Sequence, residues 1–234
     1  MIPDAGDLAG LSERLADVKR SIADATATAG RAPGSARLVA VSKHKPVEAI
    51  RAAYAAGQRD FGENYAQELA EKAAALADLP DLVWHFIGQL QRNKVKLIVP
   101  HARFIHAVDR ADLAIEIDRR AAAAGVTVSA LIEVNLEGEA SKGGCSPGDL
   151  GALLAALAPR AHVRAVGLMI IPPAEDDPEL TRPRFRELRA LRDAHGGAAA
   201  LPELSMGMSH DFPIAVAEGA TLVRVGTAIF GARA

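Results

Sequence analysis

The sequence predicts an α/β fold: a single (β/α)8 barrel of the TIM type, with an extra helix at its N-terminus. Apolar strand-like segments alternate with helical segments through the chain, as in a barrel built from repeated β/α units. The strand-like segments are nearly continuous in apolar character, which is typical of parallel strands covered on both faces. The length of 234 residues lies in the lower part of the barrel size range. We expect residues 1–234 to form one domain, with residues 1–30 as a helix packed on the barrel.

An open doubly wound sheet is the alternative fold. It is less favoured because the glycine fingerprint that such sheets carry after the first strand is missing.

The helices and strands follow from the spacing of apolar residues. Leu8, Leu11, Leu15, Val18 and Ile22 recur every three or four positions and predict the N-terminal helix. The first strand covers 38–41, and a helix follows it between a proline at 46 and a glycine at 57. The remaining strands are predicted at 59–64, 82–88, 103–109, 128–136, 163–171, 203–209 and 222–230. The remaining helices are predicted at 66–79, 91–99, 110–124, 147–157, 178–194 and 212–218.

Composition excludes several classes of protein. The 27 Lys and Arg against 29 Asp and Glu give a net charge of −2, which argues against a basic nucleic-acid-binding face. Half of the residues are hydrophobic, which excludes a disordered chain. No apolar run is long enough to span a membrane, and the first residues lack the pattern of a secretory signal. With Cys145 as the single cysteine, we expect a reduced, cytoplasmic protein.

Lys43 is the first candidate functional residue. Active sites of β/α barrels form at the C-terminal ends of the strands, and Lys43 directly follows the first strand. Burial there lowers the pKa of a lysine and frees its amine for Schiff-base chemistry. The alternative is a lysine that reaches solvent, which is the interpretation we favour for Lys45. Lys142, in a glycine-rich loop, is a second and weaker candidate amine.

The ends of the last two strands predict a phosphate site. Ser209 supplies a hydroxyl before a helix start, and Gly226-Thr227 supplies backbone N–H groups and a second hydroxyl. Barrels commonly bind phosphate in these two loops, although glycine, serine and threonine are also ordinary turn residues.

Three polar residues are expected within apolar strands. Arg224 lies between two valines, where a charge must be paired, and it is either a structural ion-pair partner or a donor to a ligand. His85 and His106 are expected to be hydrogen-bonded core residues. The sequence has no histidine or cysteine spacing typical of a metal site, no nucleophile elbow and no P-loop. The segment 91–96 is expected to form a solvated helix face.

Five motifs resemble the pyridoxal phosphate homeostasis protein family of the YggS/PROSC type. They occur in the family's order and spacing, from about residue 38 to the C-terminus. The motifs are VSKHKP at 41–46, FGENY at 61–65, WHFIGQLQRNK at 84–94, SMGMSHD at 205–211 and VRVGTAIFG at 223–231.

This resemblance implies a barrel like the N-terminal domain of alanine racemase, with pyridoxal 5′-phosphate (PLP) held as a Schiff base on Lys43. It also implies that Arg224 lies near the pyridine nitrogen, and that Ser209 and Gly226-Thr227 bind the phosphate. Asn64 matches a residue that lines the surroundings of the ring. His44 and Gln89 depart from the residues common in the family, and His44 adjoins the implied Schiff-base lysine.

The expected function is PLP binding in intracellular vitamin B6 homeostasis, without efficient turnover and with no catalytic residue. An arginine at the pyridine nitrogen keeps it unprotonated, so a carbanion is poorly stabilised. A racemase needs a second acid or base on the opposite face, and neither Tyr54 nor Tyr65 is an evident one. We also expect no counterpart of the second domain that assists alanine racemase.

Two alternatives remain: a weak PLP-dependent amino-acid racemase, and a regulatory module that uses the N-terminal helix or the 91–96 face. We expect a monomer whose partners are PLP and, as acceptors, apo forms of PLP-dependent enzymes, with no nucleic acid or membrane among them.

Overall fold

The computed structural model describes residues 10–139, 143–173 and 175–231. Its eight strands are all parallel and form a closed barrel in the order β1 to β8, which confirms the predicted fold class. The strands are β1 Arg37–Val41, β2 Asp60–Glu63, β3 Val83–Phe86, β4 Ala102–Val108, β5 Val128–Glu133, β6 Val163–Met169, β7 Glu203–Ser205 and β8 Leu222–Val225.

Helices cover the outside of the barrel. They are α1 Leu11–Thr28, α2 Val47–Ala55, α3 Ala66–Ala75, α4 Val95–Ile98, α5 Ala111–Ala124, α6 Leu150–Leu157, α7 Arg182–Ala194, α8 Gly197–Ala200, α9 Phe212–Ala217 and α10 Thr227–Phe230. Short 3-10 turns at Arg92–Lys94 and Pro178–Thr181 precede α4 and α7. The apolar pattern places each predicted helix between the correct pair of strands but misses α8 and the short α10.

The core has two layers, one between helices and sheet and one inside the barrel. In α5, Leu113, Ala114, Ile117 and Ala121 form the buried stripe, and the left-handed Gly125 ends the helix. Inside the barrel a separate apolar cluster contains Val39, Ala107, Leu131, Met169 and Leu222. The barrel interior is therefore a packed core, with its accessible chemistry confined to the ends.

The N-terminal helix α1 packs against α2, α9 and α10. Leu11, Leu15, Val18 and Ile22 are buried as predicted, whereas Leu8 lies outside the described residues. Arg14 Nε donates a hydrogen bond of 2.8 Å to the carbonyl of Ile229 in α10. Because α10 has a single turn, α1 covers the flank of the barrel between α9 and α2.

Most of the strands end earlier than the sequence suggested, and the last two differ most from their predicted ranges. The strand predicted at 203–209 stops at Ser205, because Gly207 takes a left-handed φ of 90° that strands do not use. The strand predicted at 222–230 stops at Val225, and Thr227–Phe230 forms a helical turn instead. The apolar pattern of this turn comes from Ile229 and Phe230, which are buried outside the sheet. A short apolar run cannot by itself distinguish a strand from a buried helical turn.

Among the helices of the described residues, none combines the length and apolar character that a membrane crossing requires.

Candidate functional site at the mouth of the barrel

The strand registers bring the predicted Lys43, Asn64 and Gly226 to one edge of the barrel. Val41 is the partner of Gly62 in β2, and a Cβ added at Gly226 would lie 3.2 Å from the Val41 carbonyl oxygen. Continuing the first register by two residues sets Lys43 beside Asn64. Glycine at 226 therefore permits the close approach of β8 to β1 at the mouth.

Lys43 lies on a tight turn that its neighbours hold in place. It is partly buried, and so is Lys45, which the sequence had suggested would face solvent. Among the described residues, His44 is the one non-glycine residue with a positive φ, at 62°, a conformation that is costly for a residue with a Cβ. The backbone N–H of His44 donates to Glu68 Oε1 at 2.6 Å, and that of Lys45 donates to the Ser42 carbonyl at 2.9 Å.

A buried ionic network supports this turn from below. Lys72 Nζ donates to the Ser42 carbonyl, to Glu63 Oε1 and to Glu68 Oε1, each at 2.7 Å. The Ser42 hydroxyl also donates to Glu63 Oε1 at 2.7 Å. Burial raises the pKa of Glu63, although Lys72 and Ser42 favour its charged form. Glu63 Oε2 is buried without a hydrogen-bond partner.

The sequence pattern did not reveal this network. Lys72 and Glu68 are one helical turn apart on α3, a spacing typical of an exposed pair. Lys72 is nevertheless buried, because α3 lies over the end of β2.

Arg224 is the second predicted site residue, and it is 4% exposed. Its Nη1 donates to Ser205 Oγ at 2.6 Å and its Nη2 donates to the Ile170 carbonyl at 2.8 Å. Burial lowers the pKa of Arg224 to about 10, against the opposing effects of Asp211 and Glu133. The guanidinium is therefore still charged at neutral pH, and it carries five N–H donors in total.

Below Arg224 a column of hydrogen bonds crosses the barrel interior. Ser205 Oγ lies 2.8 Å from His106 Nδ1, His106 Nε2 lies 2.9 Å from His85 Nδ1, and His85 Nε2 lies 2.9 Å from Asp60 Oδ1. We refer to Arg224, Ser205, His106, His85 and Asp60 as the polar column. As predicted from the sequence, both histidines are hydrogen-bonded core residues.

The residues at the two ends of the polar column determine which ring nitrogen of each histidine between them carries the proton. Arg224 can only donate and an ionised Asp60 can only accept. Burial lowers the pKa of His85, and it lowers that of His106 well below the ordinary value, so both rings are neutral. Each ring then carries its proton on Nε2, and every hydrogen bond donates in the direction from Arg224 to Asp60.

The two predicted phosphate loops lie together. The backbone N–H of Gly226 donates to Ser209 Oγ at 3.4 Å, and Thr227 is exposed beside them at the start of α10. The loop before Ser209 is fixed by Asp211, whose Oδ1 accepts from the Met208 N–H at 2.7 Å. The Ser209 hydroxyl and the Gly226 N–H therefore meet at one place, with Thr227 next in the chain, in an arrangement suited to an anion.

Asn64 follows β2, and its Oδ1 is buried without a hydrogen-bond partner. A Cβ at Gly88 would lie 2.2 Å from the Asn64 carbonyl oxygen, so only glycine at 88 allows this approach of the two chain segments. Asn64 also lines a cavity of about 260 Å³ that opens at the ends of β3, β5 and β6.

Glu133 lines this cavity as well, and the sequence analysis missed it. It is the last residue of β5 and 5% exposed. Burial and, secondarily, Asp109 raise its pKa to about 7, against the opposing charge of Arg224. The sequence does contain a sign of it, because Glu133 is a charged residue within the apolar run Leu131–Val134, just as Arg224 is a charged residue between two valines.

The remaining candidate residues that the structure describes do not contribute to the polar groups above. Lys142 lies outside the described residues. Tyr54 contacts Asp81 and packs under Arg59, at the opposite end of the barrel from Lys43. Tyr65 is half exposed at the mouth, with its ring centroid 5.0 Å from that of His44. In the parts of the chain that the structure describes, no three His, Cys, Asp or Glu side chains cluster as metal ligands would.

The chain resembles proteins of known family. Residues 15–234 match the family model described as alanine racemase, N-terminal domain. A pyridoxal phosphate homeostasis protein of Aquifex aeolicus is 48% identical over 223 residues, which is 94% of this chain and 97% of the relative. The protein of the same name from Escherichia coli K12 is 41% identical over 229 residues, which is 95% of this chain and 97% of the relative.

Solved structures agree with these matches. PipY of Synechococcus elongatus PCC7942, with PLP bound, is 43% identical with a TM-score of 0.83, covering 94% of this chain and 100% of PipY. Alanine racemase of Streptomyces coelicolor is 23% identical with a TM-score of 0.67, covering 97% of this chain but 59% of the racemase. The second likeness concerns the barrel fold alone.

Proposed function

The chain belongs to the pyridoxal phosphate homeostasis protein family, and from this membership we propose that it binds PLP as a Schiff base on Lys43. We further propose that it takes part in cytoplasmic vitamin B6 homeostasis without efficient catalytic turnover. The proposal depends on one observation: the amine of Lys43, the Ser209 and Gly226 loops and the buried guanidinium of Arg224 all lie at the same end of the barrel.

The residues at the mouth fit PLP in three respects. Lys43 supplies the amine at the end of a rigid strand, on a turn braced by Glu68 and Lys72. The Ser209 hydroxyl and the Gly226 N–H form a cradle for the phosphate, with Thr227 at its edge. Asn64 Oδ1 is a buried acceptor without a partner, as expected for an atom that a ligand completes.

Arg224 supports binding without turnover. Bound PLP supplies an electron sink whose strength depends on a proton at its pyridine nitrogen. The Arg224 side chain keeps its own proton at neutral pH, and its Nη1 is already oriented by Ser205 at 2.6 Å. It therefore offers the nitrogen a hydrogen bond and withholds a proton, which favours storage over carbanion chemistry.

Neither tyrosine of the chain is well placed to act as the second acid or base that a racemase needs. Tyr54 is at the far end of the barrel, bound to Asp81. Tyr65 is at the mouth and half exposed, so it is the residue through which weak racemase activity would arise. The proposal expects no measurable exchange of the α-proton of an amino acid in deuterium oxide.

The decisive experiment is the visible spectrum with added PLP for the wild type, Lys43→Ala and Lys45→Ala. Lys45→Ala is the matched control, because Lys45 is two residues away and also partly buried. We expect the visible absorbance band of a PLP Schiff base in the wild type and the control. Borohydride reduction and peptide mapping should place the label on Lys43. A band of full intensity in Lys43→Ala would overturn the assignment.

We also propose that the chain acts as a monomer and passes PLP to apo-enzymes. Accessibility supports this, since Tyr65 and Thr227 are exposed at the mouth. The test loads an apo-enzyme either from the PLP-bound protein or from free PLP at the same total concentration, with a phosphatase present to remove the free cofactor. Directed transfer predicts activation that survives the phosphatase, whereas equal loss in both samples contradicts it. Sedimentation of the loaded protein tests the monomer.

A further inference from the structure

The cavity beside Asn64 is distinct from the proposed PLP site in most of its lining. We call it the Glu133 cavity, after the carboxylate that faces it. Of the six residues proposed to hold PLP, Asn64 alone lines it. Its volume of about 260 Å³ fits a molecule of a few carbon atoms. Its described lining combines the Glu133 carboxylate and the side-chain amides of Asn64, Gln89 and Asn135 with apolar side chains from Ile87, Leu136, Ile170 and Ile171.

Neither the Glu133 carboxylate nor Asn64 Oδ1 accepts a hydrogen bond from a described residue. Glu133 is 5% exposed, and no hydrogen-bond donor of the described residues reaches its carboxylate. Asn64 Oδ1 is likewise buried and without a partner. Leaving a buried acceptor unpaired is costly, and a buried carboxylate costs more than an amide. Glu133 therefore presents to the cavity a carboxylate that a group donating several hydrogen bonds would satisfy.

The charges around the cavity select a cation. Arg224 and Asp109 face Glu133 from β8 and from the end of β4. At the rim, Arg184 is already engaged by Glu137 at 2.5 Å and by Glu175 at 3.1 Å. Because two carboxylates already neutralise Arg184, it is a poor receptor for a ligand carboxylate. A small ammonium matches the charge and the acceptor atoms of the Glu133 carboxylate best.

We propose that the Glu133 cavity is a binding site for a small primary ammonium with an apolar body. The ammonium donates to the Glu133 carboxylate, and the hydrocarbon lies against Ile87, Leu136 and Ile170. A ligand that also carries a carboxylate binds less well, because Glu133 repels it and Arg184 is occupied. Where the proposed function holds, the bound amine lies at the same mouth as Lys43, but its binding does not depend on PLP.

Calorimetry with the PLP-free full-length protein tests the site, using isobutylammonium, its neutral analogue isobutanol, and valine as probes. We expect the wild type to bind isobutylammonium at least tenfold more tightly than either of the others. Glu133→Gln should abolish this preference, because the amide has no charge and offers one acceptor atom. Glu187→Gln, at an exposed glutamate of α7 that does not line the cavity, is the control, and it should stay within about twofold of the wild type.

Three results would overturn the proposal: equal affinity for isobutylammonium and isobutanol, tighter binding of valine, or an unchanged preference in Glu133→Gln. If Glu133→Gln does not fold, Leu136→Trp fills the cavity without altering its charge, and it should abolish amine binding. The visible PLP band measured on the same samples separates this proposal from the proposed function. Amine binding without a PLP band would contradict the proposed function alone, and a PLP band without amine binding would contradict this inference alone.

Discussion

The barrel contains two sets of buried polar groups that differ in how completely they are hydrogen bonded. Along the polar column, each link between Arg224 and Asp60 is a hydrogen bond of 2.6 to 2.9 Å. At the mouth, Glu63 Oε2 and Asn64 Oδ1 have no partner, and Glu133 faces a cavity. The two sets are close in space, since the charge of Arg224 acts on Glu133.

The difference shows which polar groups serve the fold itself. A fully paired buried network stabilises one arrangement of the chain, whereas a half-paired one costs free energy. Natural proteins keep unpaired buried groups chiefly where function requires them. The polar column therefore belongs to the architecture, and the Glu133 carboxylate that faces the cavity is a group for which we propose a ligand.

The ionic network beneath the Lys43 turn should give the greatest change in stability. Lys72→Met removes the cation from Glu63, which is fully buried. Breaking a buried ion pair from one side costs about 3 to 5 kcal/mol, so we expect a loss of about 4 kcal/mol in the free energy of unfolding. Urea denaturation measures this loss.

The double variant Lys72→Met/Glu63→Gln should recover much of the loss from Lys72→Met, because the fully buried position 63 is then uncharged and the partly exposed Glu68 keeps the N–H of His44. Lys96→Met, at an exposed lysine of α4, is the control. A loss equal to that of the control would show that the network contributes no more than surface charge.

Breaking the polar column should cost somewhat less. His106→Leu leaves the Ser205 hydroxyl and His85 Nδ1 without their partner. Unpaired buried groups cost about 1 to 3 kcal/mol each, so we expect a destabilisation of about 3 kcal/mol. Thermal and urea unfolding measure it.

His106→Gln keeps one donor and one acceptor and should lose about half as much as His106→Leu. If His106→Leu is as stable as the wild type, the polar column is not a unit of the architecture.

Glu133→Gln should have the opposite effect on the free energy of unfolding and stabilise the protein at high pH. The pKa of Glu133 is raised from 4.5 to about 7 in the folded protein, so folding favours its protonated form. This contribution is fully present below pH 4.5 and is lost as the pH rises through 7. A pKa difference of this size corresponds to about 3 kcal/mol.

The free energy of unfolding, measured in urea from below the ordinary glutamate pKa to about one pH unit above 7, checks this. We expect Glu133→Gln to gain up to about 3 kcal/mol relative to the wild type over that range. Glu137→Gln, at the exposed rim, should follow the wild type. Parallel curves for the wild type and Glu133→Gln would mean that Glu133 is already paired in solution.

The phosphate loop should affect stability least. Thr227 is exposed, so Thr227→Val should change the free energy of unfolding by less than about 0.5 kcal/mol. We expect its PLP affinity to fall about tenfold, as for one lost hydrogen bond to a charged group. Fluorescence titration with PLP measures the affinity, and an unchanged value would remove Thr227 from the proposed site.

Part of the candidate site could be predicted from the positions of residues along the chain. Lys43, Ser209 and Arg224 were found because each follows or interrupts an apolar strand, and barrels place their chemistry there, whereas Asn64 was found through the resemblance to the family. The Lys72–Glu63 network and the role of Glu133 were not found. Lys72 lies on a helix whose pattern is that of an ordinary exposed face, and only the packing of α3 over β2 buries it.

The order of strands and helices can be read from the amino-acid sequence, because apolar periodicity is a local property that each segment carries alone. The residues that stand at the strand ends follow from the same pattern. Which polar groups meet is a matter of tertiary structure, since His106 and Ser205 are 99 residues apart in the chain and 2.8 Å apart in space. Tertiary structure also decides that Arg224 has hydrogen-bond partners and that Glu133 has none among the described residues. Hydrogen bonding and desolvation depend on distances across the closed barrel, and no single segment encodes those distances.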